Sequence, residues 1–277
     1  MRIESGSGCL LLLTKFNAVL PGRSDRAGLE PAWLAHRLQL FCDWTLPSVL
    51  SQQRRPDRWL IFVDADTPAT SALALANRVA GLGELVPVAG PLTDAAIGEL
   101  VAGRLAGQTG PLVSVRLDSD DAIAASYLAR VSAAAGGWRG FVNAPLGYRL
   151  AKAGLVGCRD RSGPFLSFVE DWTRAAPRTV FQVPHAEAPS RAPVLQLGGP
   201  RAWLQVIHDR NLANRLAGWP ADRDAACAAM ELPWLRERLG ARTGLVTLGQ
   251  AASRELRHEL AWRLSRVGAA RVGRTSG

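Results

Sequence analysis

The sequence predicts an α/β fold, a mostly parallel sheet with helices on its faces and a smaller region after it. Three observations predict it. Short apolar runs alternate with longer stretches whose apolar residues recur at helical spacing. The runs are continuously apolar, as strands buried on both faces are, and lack the polar alternation of a half-exposed sheet. Each of the three main runs ends in polar or acidic residues, which puts those residues together at the carboxyl edge of the sheet.

Residues 1–8 are polar and glycine-rich, and residues 9–14 (C-L-L-L-L-T) form the first strand, ending at Lys15, Phe16 and Asn17. A loop with Pro21, Gly22, Ser24 and Asp25 follows, then a helix whose inner face is Leu34, Leu38, Phe41 and Cys42. Pro47 should kink or restart that helix, because it lacks a backbone N–H. Residues 59–63 (W-L-I-F-V) are the second strand and end in D-A-D-T-P. A helix over 69–80, a strand over 85–88 and a helix over 94–105 lead to the strand at 112–117. That strand runs into Asp118, Asp120 and Asp121, and Ile123, Tyr127, Leu128 and Val131 mark the next helix, over 122–135. Beyond the glycines at 136–137 the pattern weakens. A strand is expected at 140–144, a hairpin at 147–156, a short helix at 165–172, strands at 179–183 and 203–207, and partial helix over 220–240.

Three carboxylates within four residues repel one another unless something positive lies among them. One aspartate ahead of a helix is commonly an N-cap, but three exceed what capping needs. A divalent cation carrying a diphosphate suits the site, because Mg²⁺ prefers one or two carboxylates completed by phosphate oxygens.

Composition narrows the classes. The length, 277 residues, allows one large domain or two small ones. Four cysteines, Cys9, Cys42, Cys158 and Cys227, lie far apart, which excludes a cysteine zinc site and a disulfide framework. The longest early apolar run is too short to span a membrane, and no leader pattern precedes it. The expected compartment is the cytoplasm. Net charge is +9, with Lys15 and Lys152 the only lysines. From Ser253 onward Arg254, Arg257, Arg263, Arg266, Arg271 and Arg274 face only Glu255 and Glu259, above an apolar stripe of Leu256, Leu260, Leu264 and Val267. This basic helix either packs on the domain or lies on an anionic membrane at its inner face. The remaining arginines are scattered and aromatic residues are few, so no nucleic-acid partner is expected.

Two constellations suggest chemistry. D-A-D-T-P at 64–68 also opens phosphatases of the haloacid-dehalogenase type, with Asp64 as nucleophile and Asp66 as acid/base; the late acidic pair such enzymes need after a lysine is missing. The fuller match is to nucleotide-sugar transferases of GT-A type, a Rossmann-like class. L-T-K-F-N (13–17), S-V-L-S-Q (48–52), I-F-V-D (61–64) and L-D-S-D-D (117–121) occur in the order and at the distances such enzymes show. More narrowly, the chain resembles a rhamnosyltransferase family. K-F-N, R-L-Q-L-F (37–41), L-P-S-V-L-S-Q, W-L-I-F-V-D, R-L-D-S-D-D-A, P-F-L-S-F-V-E (164–170) and W-L-Q-V-I-H-D-R-N-L-A-N (203–214) carry that resemblance. It departs at Lys15, where the family has arginine, and at Asp209, where it has glycine.

The resemblance implies a metal-dependent glycosyltransferase that moves a sugar, rhamnose by family, from a nucleotide diphosphate to a glycan, lipid or small-molecule acceptor. It assigns Mn²⁺ or Mg²⁺ to Asp120, Asp118 and His208. Thr14, Lys15, Asn17, Asp64, Asp66, Arg116 and Asp118 fall to the nucleotide sugar, and Glu170 or Asp171 to the acceptor base. His185 is a weaker ligand candidate, and His36 and His258 read as solvated helix residues. Residues 9–145 would be the donor half, 146–249 the acceptor side of the same domain, and 250–277 the basic helix and tail. A module that binds sugar nucleotide or membrane without turnover is the other class to test.

Overall fold

The computed structural model describes residues 8–22, 26–105, 108–173, 175–208 and 216–240. The first half follows the predicted order: strand β1 (Cys9–Lys15), helix α1 (Pro31–Leu40), α2 (Leu46–Leu50), β2 (Arg58–Asp64), α3 (Ala69–Val79), β3 (Glu84–Val88), α4 (Asp94–Arg104) and β4 (Gly110–Arg116). A two-residue strand β5 (Ala122–Ile123) precedes α5 (Tyr127–Ala135). Then come β6 (Gly140–Asn143), β7 (Leu146–Ala151), β8 (Gly154–Arg159), β9 (Leu166–Trp172), α6 (Ala188–Arg191), β10 (Val194–Gln196), β11 (Trp203–Val206), β12 (Trp219–Pro220), α7 (Arg223–Met230) and α8 (Leu235–Gly240).

A seven-stranded sheet has the order β10-β6-β9-β4-β1-β2-β3. Every pairing in it is parallel except the two made by β9. The α/β class with a mostly parallel sheet and flanking helices is therefore what the chain adopts. Leu10 and Leu12 point into one core layer with Leu34, Phe41, Val113 and Tyr127; Leu11 and Leu13 point into the other with Ile97, Val101 and Phe168. These four leucines of β1 are fully buried, and each contributes about 1.5–3 kcal/mol of burial, which explains the uninterrupted apolar run. A second sheet, β12-β8-β7-β11-β5, packs Tyr148, Leu150, Leu204 and Val206 against Met230 and Leu235. Strands from 9–145 and from 146–249 interleave in the large sheet, and β5 from the first half closes one edge of the small one.

Two predictions of local structure need correction, while at Pro47 the helix restarts as expected. A π turn over Phe41–Thr45 links α1 to α2 and places Pro47 in the first turn of α2, where a missing N–H costs least. Residues 179–183 form turns around buried Thr179, Val180 and Phe181 and no strand. Residues 166–172 are a strand and no helix. Inserted between β4 and β6, both faces of β9 are covered, so its near-continuous apolar run is a buried strand, which spacing alone does not separate from a short helix.

The basic stretch 250–277, with His258 and the apolar stripe, lies outside the described residues, as do Ser24, Asp25 and Asp209. Among the described residues no helix is long and apolar enough to cross a membrane.

Candidate active site

The carboxyl ends of β1, β2 and β4 share one edge of the large sheet. The acid loop at the end of β4 is held from behind by the polar side of the helix running from α1 to α2. Thr45 Oγ donates to the Asp121 carbonyl at 2.9 Å. Gln52 donates to the Ala124 carbonyl at 2.9 Å and accepts from the Leu128 N–H at 3.1 Å. The glutamine of the S-V-L-S-Q block thus pins the start of α5 and sets the acid loop in place.

The three acids have three different environments. Asp118 is gripped by Arg116 through both oxygens, at 3.0 and 2.8 Å. Burial alone would raise the Asp118 pKa, but the Arg116 charge and hydrogen bonds, helped by Lys15 and Arg37, hold it below the usual carboxylate range. Asp121 accepts the Val206 N–H at 2.8 Å and so ties the loop to β11. Burial, then the charges of Asp120 and Asp118, push its pKa well above the usual value. Asp120 faces a different set: its Oδ2 lies 2.9 Å from Arg37 Nη1 and 2.9 Å from His208 Nε2. His208, from just beyond β11, meets it because β11 pairs with β5. His36 of α1 stacks edge-on against the His208 ring, 5.3 Å between centroids, and so belongs to this cluster.

On the other face of the same edge, Lys15 stands over the Phe181 ring, its Nζ 4.0 Å from the centroid. Burial, then the nearby Arg116, lower its pKa to about 8 against the pull of Asp118 and Asp94. Two cations pressed together this way favour an anion that would relieve both.

The remaining expected donor residues divide. Asp64 accepts from Arg26 and from the Asp66 N–H, and Arg26 also reaches Asp66 at 2.8 Å. Thr14 is fully buried, and its hydroxyl accepts from Trp59 Nε1 at 3.0 Å. Asn17 joins the Gly28 carbonyl, Thr67 and the Asp64 N–H. Both therefore act within the scaffold and do not face the cleft. His185 bonds the Ser162 carbonyl through Nδ1 at 2.6 Å, away from the acid loop.

The base expected at Glu170 or Asp171 does not fit this geometry. Because β9 runs antiparallel, Glu170 sits opposite Leu112, four residues or about 13 Å before Arg116 along β4. There it is buried and accepts the Thr179 N–H at 3.1 Å. Asp171 points to the opposite face, exposed and paired with Arg139. Glu170→Gln is expected to lower Tm by about 2–6 °C through the weakened charged hydrogen bond, with release of nucleoside diphosphate from donor unchanged. Lost turnover at an unchanged Tm would reinstate the base.

A metal fits this site in a limited way. Among the described residues no group of three or more His, Cys, Asp and Glu side chains is arranged to hold one. Asp118 is held by Arg116 and Asp121 by the Val206 N–H, so the candidate ligands are Asp120 and His208, which bond each other and, at Asp120, Arg37. Two protein ligands suffice for Mg²⁺ when phosphate oxygens complete the sphere. Arg37 and Arg26 are the charged neighbours that sequence reading missed. Arg37 stands in the R-L-Q-L-F block, but nothing in spacing indicates that it reaches a loop 83 positions away.

The crystal structure of S. aureus TarS residues 1–349 is similar to the chain at 11% identity and a TM-score of 0.41. The match covers 72% of this chain and 60% of that one, so the chain spans less than two thirds of TarS 1–349. Comparison with curated proteins gives no match. The family model described as "Putative rhamnosyl transferase" matches residues 22–219, which does not favour the phosphatase reading of Asp64 and Asp66. With the matched stretch covering most of the chain, this protein belongs to that family of glycosyltransferases.

Proposed function

We propose that the chain transfers a sugar, rhamnose by family, from a nucleotide diphosphate donor to a hydroxyl of a glycan, lipid or small-molecule acceptor. The observation that carries this is the meeting of Asp120, His208 and Arg37 beside Lys15, Arg116 and Asp118 at one sheet edge. In such a transfer the acceptor oxygen bonds the anomeric carbon as the bond to the diphosphate breaks. The leaving diphosphate takes the electron pair, and the hydroxyl proton passes to a base. Positive groups fixed where that charge grows stabilise the transition state.

Lys15 and Arg116 meet the diphosphate in this reading, with Asp118 holding the guanidinium in place. Asp64 and Asp66 take the ribose or base, oriented by Arg26. Mn²⁺ or Mg²⁺ would be held by Asp120 and His208, where it would neutralise phosphate oxygens. The donor occupies the 9–145 half in a GT-A-like manner, and the acceptor comes to the 146–249 side. The basic stretch 250–277 suits contact with an anionic membrane surface at its cytoplasmic face, on charge alone.

Thermal melts with Mn²⁺ or Mg²⁺ and uridine, thymidine or guanosine diphosphate test this. Metal and diphosphate together are expected to stabilise more than the sum of each alone. A ligand at a hundred times its Kd adds about 2.7 kcal/mol, or roughly 5–10 °C for a domain of this size. Equal Tm with and without every metal–diphosphate pair would remove the proposal.

A further inference from the structure

Arg37 meets Asp120 at the proposed site, and the reading above gives it no bond to the donor or the cation. Its guanidinium Nη1 lies 2.9 Å from Asp120 Oδ2 and 3.4 Å from Ser119 Oγ. Its carbon lies 4.8 Å from the centroid of the Trp33 ring, one turn earlier on α1. The side chain is 14% exposed and that of Asp120 is 8% exposed. Arg37 and His208 thus converge on one oxygen of the only acid-loop carboxylate not already taken by Arg116 or by the Val206 N–H.

That arrangement creates a competition. A cation seeking Asp120 must displace a charge-assisted hydrogen bond. A guanidinium presents the same fork of donors to phosphate as to carboxylate, so it can exchange one for the other without moving far. Trp33 gives it a resting surface that stays in place during the exchange, because cation–π contact constrains the plane and not the hydrogen-bond partner.

We infer that Arg37 is a diphosphate-binding residue that guards Asp120: the donor's diphosphate draws the guanidinium off the carboxylate, which only then becomes available to a divalent cation. The inference rests on the glycosyltransferase reading and adds an order to it. The diphosphate binds first or together with the cation, and the cation alone binds poorly. The residue also supplies positive charge to the diphosphate when no metal is present.

Isothermal titration of the full chain distinguishes the outcomes. The probes are Mn²⁺ alone, and uridine, thymidine or guanosine diphosphate in excess chelator, with wild type, Arg37→Ala and Arg37→Gln. Arg37→Gln keeps a hydrogen-bonding group near Ser119 and guards against failure of the alanine variant to fold; melts of all three check this. Both variants are expected to bind Mn²⁺ alone about tenfold or more tighter, and diphosphate without metal about tenfold or more weaker. The corresponding nucleoside without phosphate should not distinguish them from wild type. If wild type binds a diphosphate while the variants match it in both titrations, the inference is overturned and the glycosyltransferase reading stands. If Mn²⁺ alone binds no tighter to the variants, the guarding role fails even where diphosphate binding weakens. If wild type binds no nucleoside diphosphate with or without metal, the glycosyltransferase reading fails and takes this inference with it.

Discussion

Asp120→Ala is expected to reduce release of nucleoside diphosphate from the donor sugar by about 10³-fold or more, the size of losing a principal electrostatic element at a reacting centre. The carboxylate is nearly buried and shared by Arg37 and His208, so its removal also leaves two cationic or donor groups facing one another. Some stability should go with it, and Asp120→Asn separates the two effects. Asparagine preserves the shape and one acceptor oxygen, so its fold should hold while its turnover falls nearly as far. Calorimetric melts beside donor turnover make the comparison. Turnover within tenfold of wild type in a folded Asp120→Ala protein would move the centre of the reaction away from this loop.

A large effect on stability is expected from Gly147→Ala. A Cβ at position 147 would stand 2.0 Å from Cδ2 of Trp203 and 2.2 Å from its Cε2. The indole cannot retreat. It is 1% exposed, stacked on Phe165 at 4.7 Å between centroids, and its Nε1 donates to the Ala144 carbonyl at 2.8 Å. Over-filling a packed site costs typically 1–3 kcal/mol, and an overlap this deep belongs at or above the upper end. About 3 kcal/mol corresponds to a Tm drop of roughly 6–12 °C. Trp203→Ala should cost about 3–5 kcal/mol through the cavity it leaves. The double variant Gly147→Ala/Trp203→Ala should be markedly more stable than the sum of the single costs, because one change vacates the volume the other needs. Strict additivity would show that the strand pair β7–β11 yields freely. The effect should reach function, since β11 leads directly into His208 and its Val206 N–H holds Asp121.

Much of the first half of the fold was legible because its elements are local. Residues 9–15, 58–64 and 110–116 are continuous apolar runs with acids or a lysine at their ends, and between them lie helices at ordinary spacing. Burial on both faces writes itself into such runs, and the parallel crossover rule then brings their ends to one edge. That was enough to put Lys15, Asp64 and Asp118 near one another, and to make Asp120 stand out among the acids. It was also enough for the likeness to a glycosyltransferase family, which the family match over 22–219 bears out.

The second half depended on contacts between distant residues. Residues 164–172 carry apolar positions that suit a helix turn or a strand equally, and only insertion between β4 and β6 decided for a strand. With that decision Glu170 went to the far end of β4 and Asp171 to the other face, since direction along a strand and alternation across it are set by pairing partners. The same holds at the acid loop. Beside the local pair of Asp118 with Arg116, tertiary structure gave Asp121 to the Val206 N–H and Asp120 to Arg37 and His208. Spacing along one chain specifies what a segment can bury. Which charges Asp120 meets depends on residues 83 and 88 positions away, and those come near only when the sheets pack.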